Sequence, residues 1–223
     1  FSVMMAVMTL MMIPRAAASA ERINEVLDTQ PDMADPATAE RASIGSGTSS
    51  QRAARIELVG VGFRYPGAQA SVVQDVTLAF EPGTTTAIVG GTGSGKTTLV
   101  ILIPRLLDAS EGQVLIGGVD VRRVPMEGLW QGFGIVPQKS LLFSGTIASN
   151  IRFGRPDTTE DEIWQALEIA QAASFVRELP EQLESMVDQG GANFSGGQRQ
   201  RLSIARAVVR RPEIYLFDDS FSA

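Results

Sequence analysis

The run Gly90-Gly91-Thr92-Gly93-Ser94-Gly95-Lys96-Thr97 constrains this chain more than any other segment. It fits the spacing G-x-x-x-x-G-K-[ST] and has the expected flanks: a β-rich run, TTTAIVGG, before it and a helix-like run, KTTLVILIPRLL, after it. Glycines let successive backbone N–H groups turn toward one phosphate, and a helix N-terminus adds the positive end of its dipole. Lys96 places a point charge on the β- and γ-phosphates, and the Thr97 hydroxyl is a hard oxygen ligand suited to Mg²⁺. Lysine is scarce here, with Lys96 and Lys139 the only two, so a chance match to the pattern is improbable. A Mg²⁺ site also needs a carboxylate. Ile214-Tyr215-Leu216-Phe217-Asp218 reads as a buried strand that ends in one, at the sheet edge where α/β proteins bind ligands.

Composition narrows the chemistry further. The chain has no cysteine and no histidine, which excludes disulfide frameworks, thiolate nucleophiles, Fe–S ligation, Ser-His-Asp triads and His-ligated zinc. Any metal is therefore held by oxygen. A net charge of −6 argues against nucleic acid as the main partner. At 44% hydrophobic and 20% charged residues, the chain has enough apolar material for a sizeable core.

Three segments are expected: 1–28, 29–55 and 56–223. The first opens with FSVMMAVMTLMMIP, which as a helix is about 20 Å long, short of a bilayer crossing. A signal peptide fits poorly because no basic region precedes the apolar run, and a buried core helix is also compatible. The reading adopted is the end of a transmembrane helix, with Arg15 at the interface and helical pattern continuing through AAASAERINEVLD. Residues 29–55, with Pro31, Pro36 and SIGSGTSS, read as a linker. From Ile56, IELVGVGFRY and VTLAF suggest an antiparallel strand pair, while VLIGGVDV, GFGIVPQ and EIYLF suggest further strands. TEDEIWQALEIAQAASFV, capped by Thr159, and SGGQRQRLSIARAVVRR read as helices. The strand–helix alternation predicts an α/β core with a parallel sheet plus an added antiparallel β subdomain.

At Asn193-Phe194-Ser195-Gly196-Gly197-Gln198-Arg199-Gln200-Arg201 the chain resembles the signature motif, LSGGQ, of the ATP-binding cassette (ABC) ATPases. A serine and glycines opening a helix make a second anion-binding helix N-terminus, although a plain N-cap would look alike. The resemblance covers roughly residue 55 to the C-terminus and implies a P-loop NTPase core with a helical signature-motif subdomain. It implies ATP and Mg²⁺ as ligands. Tyr65 then stacks on adenine, and Gly90, Gly91, Thr92, Gly93, Ser94, Gly95, Lys96, Thr97 and Thr98 surround the phosphates. Thr97, Gln138 and Asp218 hold the metal, and Lys96, Gln138 and Asp219 serve hydrolysis. Phe194, Ser195, Gly196, Gly197 and Gln198 contact nucleotide held by an opposite subunit. An apolar helix fused ahead of the ATPase domain, together with GTIASNI after Gln138, resembles exporters. That implies a multi-pass membrane protein with a cytoplasmic ATPase domain, a second subunit, and an exported small molecule, lipid or peptide.

The chain departs from the family pattern in three places. Asp219 stands where Glu is usual, which draws the carboxylate back by one methylene. In heterodimeric exporters such an Asp marks a degenerate site, and the expectation is that the Lys96 site mainly binds ATP while the intact signature motif serves the partner's site. Gln189 stands where a coupling-segment Glu is usual, so a salt bridge there becomes at most a hydrogen bond. Ser222-Ala223 falls partway through the expected D-loop, so the chain reads as a window, inefficient in hydrolysis by itself. A homodimeric exporter with two weakly active sites and a soluble, non-transporting ABC ATPase remain as other readings. The motifs do not reveal the cargo.

Overall fold

The computed structural model describes residues 1–31, 33–37 and 55–219; the low-complexity run at 43–50 and the expected D-loop lie outside the described residues. Two compact units result, Phe1–Ala34 and Asp35–Ala223. The first is dominated by α1 (Ser2–Leu27), 26 residues long. Met, Leu and Ala are strong helix formers, and they carry the helix through Pro14 despite the hydrogen bond that proline removes. No α1 residue is buried, and it contains an 18-residue window of mean hydropathy 1.5. By length and composition it can cross a membrane.

The second unit opens with a four-stranded antiparallel sheet in the order β2-β1-β3-β4, made of β1 (Ile56–Phe63), β2 (Val73–Phe80), β3 (Glu111–Ile116) and β4 (Val119–Asp120). Simple alternation buries Ile56 and Leu58 and exposes Val59. An irregularity in the β1–β3 register between Val59 and Gly62 then shifts the phase, so Val61 and Phe63 are buried instead. These side chains share a core with α2 (Lys96–Leu102), α3 (Met126–Gln131) and Phe133.

A parallel pair, β5 (Phe133–Val136) and β8 (Ile214–Phe217), aligns Phe133 with Ile214 and Val136 with Phe217. The connection between them carries a second, helical core. It is built from α4 (Ile147–Arg152), α5 (Glu160–Ile169), α6 (Ala173–Glu178) and α7 (Gly196–Val208), with the short antiparallel pair β6 (Gly145–Thr146) and β7 (Met186–Val187). Within it Asn150 is only 2% exposed, and its amide donates to Phe143 O and Thr146 O while accepting from Phe143 N. Those bonds tie the chain at Phe143 and the end of β6 to α4 and leave none of the buried amide's groups unpaired.

Two elements differ from the sequence reading. Residues 84–90 form no ladder with any of β1–β8, although TTTAIV favours a strand. A strand exists through its neighbours, and Val89 is 91% exposed. The helix expected across 160–176 is two helices, because Gln171 adopts a left-handed φ of 56° and Ala172 N bonds to Leu167 O. This turn redirects the chain so that Ala173 and Val176 are buried in the same core as Ile163 and Leu167.

Thr159 caps α5 as expected, in a reciprocal capping box with Glu162. Replacing Thr159 with Ala removes one partner of that box and is expected to destabilise the fold by about 1 kcal/mol. A urea titration of the variant checks this; an unchanged midpoint would show that the cap contributes nothing.

Candidate functional site

Gly95 forms the turn into α2 with φ 87°, and a Cβ there would lie 2.9 Å from Val72 O. A larger residue is strained and crowded at that position, so the glycine follows from the loop geometry itself. Ser94 N bonds to Gly91 O at 3.3 Å and closes the loop below it. The Lys96 ammonium folds back over this loop and donates to Gly90 O at 2.9 Å and Gly91 O at 2.7 Å. Those two bonds hold the charge at the loop mouth, where it can exchange a carbonyl for a phosphate oxygen.

Two side chains behind the loop mark its flank. Thr98 is buried at 6% exposure, and its hydroxyl lies 3.4 Å from the Tyr65 hydroxyl. The Tyr65 ring packs edge-on against Phe63, with centroids 4.9 Å apart, and stays 41% exposed. An aromatic anchored at its edge and its hydroxyl, yet partly open, can accept a flat ring in stacking contact.

The parallel β5–β8 pair determines what faces the loop. Asp218 N bonds to Val136 O at 3.0 Å, extending the pair to the end of β8. There the Thr97 hydroxyl donates to Asp218 Oδ1 at 3.0 Å, across a sequence separation of 121 residues. Two ligands at right angles on a Mg²⁺ ion with 2.0–2.1 Å bonds sit about 2.9 Å apart. The observed separation of these two hard oxygens therefore fits one such ion, and their chemistry suits it. Beside them Gln138 Nε2 donates to Asp219 Oδ2 at 3.3 Å. Asp219 has a left-handed φ of 47°, a conformation that Asp and Asn adopt more readily than other side chains.

The residues at 194–198 form a second group. Ser195 N-caps α7: its Oγ accepts from Gln198 N at 3.2 Å, while Gln198 Oε1 accepts from Ser195 N at 2.9 Å. Phe194 is 7% exposed and packs beside Phe175, so its side chain is a core anchor. Any contact it makes with a ligand comes from its backbone. The amides of Gly196 and Gly197, in the first turn, have no intrahelical acceptor. Around this motif the structure also shows Asn193, which bonds to Asp188 N and Met186 O, and Arg199, which bonds to Phe194 O and Gly191 O. Arg199 was legible in principle, because a residue four positions after an N-cap reaches back over the first turn.

The looped amides, the lysine and the hydroxyl–carboxylate pair define a P-loop nucleotide-binding protein of mixed α/β architecture. The family follows from comparison: the family model for ABC transporters matches residues 73–222, and the chain belongs to that family. It is 53% identical over 226 aligned positions to an ABC transporter ATP-binding protein of Mycobacterium tuberculosis, covering 100% of this chain and 37% of that protein. It is 37% identical over 209 residues to the ATP-dependent lipid A-core flippase of Chromobacterium violaceum, covering 94% of this chain and 34% of that protein. Among solved structures, a bacterial Atm1-family ABC exporter with ATP bound superposes with a TM-score of 0.84 at 31% identity. That match covers 95% of this chain and 36% of the exporter. The chain thus spans little more than a third of the length of these relatives, and its fold is that of their ATPase domain.

Proposed function

We propose that this chain is the nucleotide-binding part of one subunit of an ABC exporter, coupling ATP binding and hydrolysis to movement of a substrate across a membrane. The observation that carries the reading is the 3.0 Å contact between Thr97 Oγ1 and Asp218 Oδ1. It joins the phosphate loop to a strand-end carboxylate, as a Mg²⁺-nucleotide site requires. Residues 1–28 are the end of the last transmembrane helix and its extension, 29–55 a linker, and 56–223 the ATPase domain on the cytoplasmic side. The length and hydropathy of α1 support this over a soluble ATPase. In the site, Lys96 and the loop amides hold phosphates, Tyr65 stacks on adenine, and Thr97, Gln138 and Asp218 surround Mg²⁺. When bound, Mg²⁺ draws charge from the phosphate oxygens.

Asp219 sets the activity of the site. Its carboxylate is one methylene shorter than glutamate and is engaged by Gln138. Phosphoryl transfer depends on positioning, and an error of about 1 Å can lower the rate on the order of 10²-fold. The Lys96 site is therefore read as a slow, mainly ATP-binding site, and the Ser195 motif as serving a competent site on a second, non-identical subunit. In the full-length dimer, Asp219→Glu should raise turnover at this site by up to about 10²-fold. Turnover that is already fast and does not change would show that the site is not degenerate.

A further inference from the structure

We propose that Arg199 is a positioning residue for the Ser195 anion site, and that it also supplies the positive field there. The inference rests on the reading of Ser195–Gln198 as a nucleotide contact. Both ends of the peptide unit between Phe194 and Ser195 are held by the next turn of the same helix. Arg199 Nη1 donates to its carbonyl, Phe194 O, at 2.6 Å, and its N–H donates to Gln198 Oε1 at 2.9 Å. A charge-assisted bond of that length is among the stronger ones available to a backbone carbonyl. The same Nη1 lies 3.4 Å from Gly191 O, so one guanidinium ties the incoming loop to the helix at two points. Its stem closes over Gly191, where an added Cβ would sit 2.8 Å from Arg199 Cδ. With the peptide unit held and Gln198 N occupying a lone pair of Ser195 Oγ, the serine hydrogen is left to donate to an anion.

The charge itself gives a second, independent argument. The first turn of α7 contains no acidic residue, whereas α5 opens with Glu160, Asp161 and Glu162. Arg199 and Arg201 instead fall in the opening turns of α7, where the helix dipole disfavours cations. Arg199 bonds to backbone carbonyls and not to a carboxylate among the described residues, as do Arg152, Arg201, Arg206 and Arg210, so its charge is not cancelled by an acidic side chain. Among those residues the guanidinium is met only by backbone carbonyls, Phe194 O and Gly191 O, so its net positive charge stays beside the opening of the helix. That charge favours the arrival of a phosphate at the Ser195 end of the helix.

The test compares Arg199→Met, Arg199→Lys and Ser195→Ala in the full-length transporter. Methionine keeps the packing stem and removes the donors and the charge; lysine restores the charge and one donor. Arg199→Met should lower kcat for ATP at least about 10-fold, while the affinity of the Lys96 loop for a fluorescent ATP analogue changes less than about threefold. Arg199→Lys should recover most of that kcat. A kcat for Arg199→Met within about threefold of the parent overturns the proposal. So does a loss that lysine does not rescue and that follows a matching fall in melting temperature. Ser195→Ala separates the two levels. If it leaves kcat unchanged, the reading of the motif fails and this inference with it; if it abolishes kcat while Arg199→Met does not, only the role of Arg199 fails.

Discussion

Lys96→Ala should lower ATP affinity and turnover at this site by about 10²–10³-fold in the full-length protein, corresponding to about 3–4 kcal/mol. The ammonium sits 2.7 and 2.9 Å from Gly91 O and Gly90 O, which places it directly over the loop without any rearrangement of the backbone. Alanine removes the tie between the lysine and its own loop and, in the proposed site, a charge-assisted partner of the phosphates. A bond to a charged group contributes about 1.5–3 kcal/mol, and the phosphates engage more than one donor hydrogen. Arginine should not rescue the loss, because its planar fork cannot occupy the space of a compact ammonium. Equilibrium binding of a fluorescent ATP analogue, followed by steady-state turnover, reads both quantities. An affinity within threefold of the parent would contradict the site as drawn.

Gly112→Ala should be the most damaging small substitution for stability, at about 3 kcal/mol or more, lowering the melting temperature by roughly 6–12 °C. Gly112 lies on β3 opposite the irregular stretch of β1, with a φ of 75°. A Cβ built there would approach Gly60 O to 2.3 Å and Val59 O to 2.4 Å. Both obstacles are backbone atoms of the central strand, so no side chain can swing aside. An L-residue in the left-handed region costs roughly 1–2 kcal/mol before any overlap is counted. Relieving the overlap means moving β1, which carries the fully buried Leu58 and Val61. A melting temperature within 2 °C of the parent would show that the two strands are not packed this closely.

The parts of the site that were legible in sequence are those made by neighbours along the chain. The turn at Gly95, the capping box of Thr159 with Glu162, and that of Ser195 with Gln198 each close within four residues. Their residue types therefore predict their geometry, and the P-loop and signature pattern could be read directly. The helix expected across 160–176 shows where this reasoning stops. Each residue there is compatible with helix, yet burying Ala173 and Val176 in the core of Ile163 and Leu167 required a break at Gln171. Packing prevailed over propensity because the apolar area gained exceeds the few tenths of a kcal/mol that separate residue types in a helix. Residues 84–90 make the same point for strands, since a β-rich composition creates no ladder without a neighbour.

By itself, then, the sequence specified the residues on which the proposed chemistry rests: a glycine-rich loop with a single lysine on it, oxygen donors as the candidate metal ligands, and a second helix opened by a serine and glycines. Only the tertiary structure decided which distant groups meet. It set Thr97 against Asp218, placed Gln138 on Asp219, and anchored Phe194 in the helical core. The division follows from the range of the forces. Backbone sterics and capping bonds act within a turn and are encoded locally, whereas the approach of loop to strand end depends on the summed burial of two cores that no short segment contains.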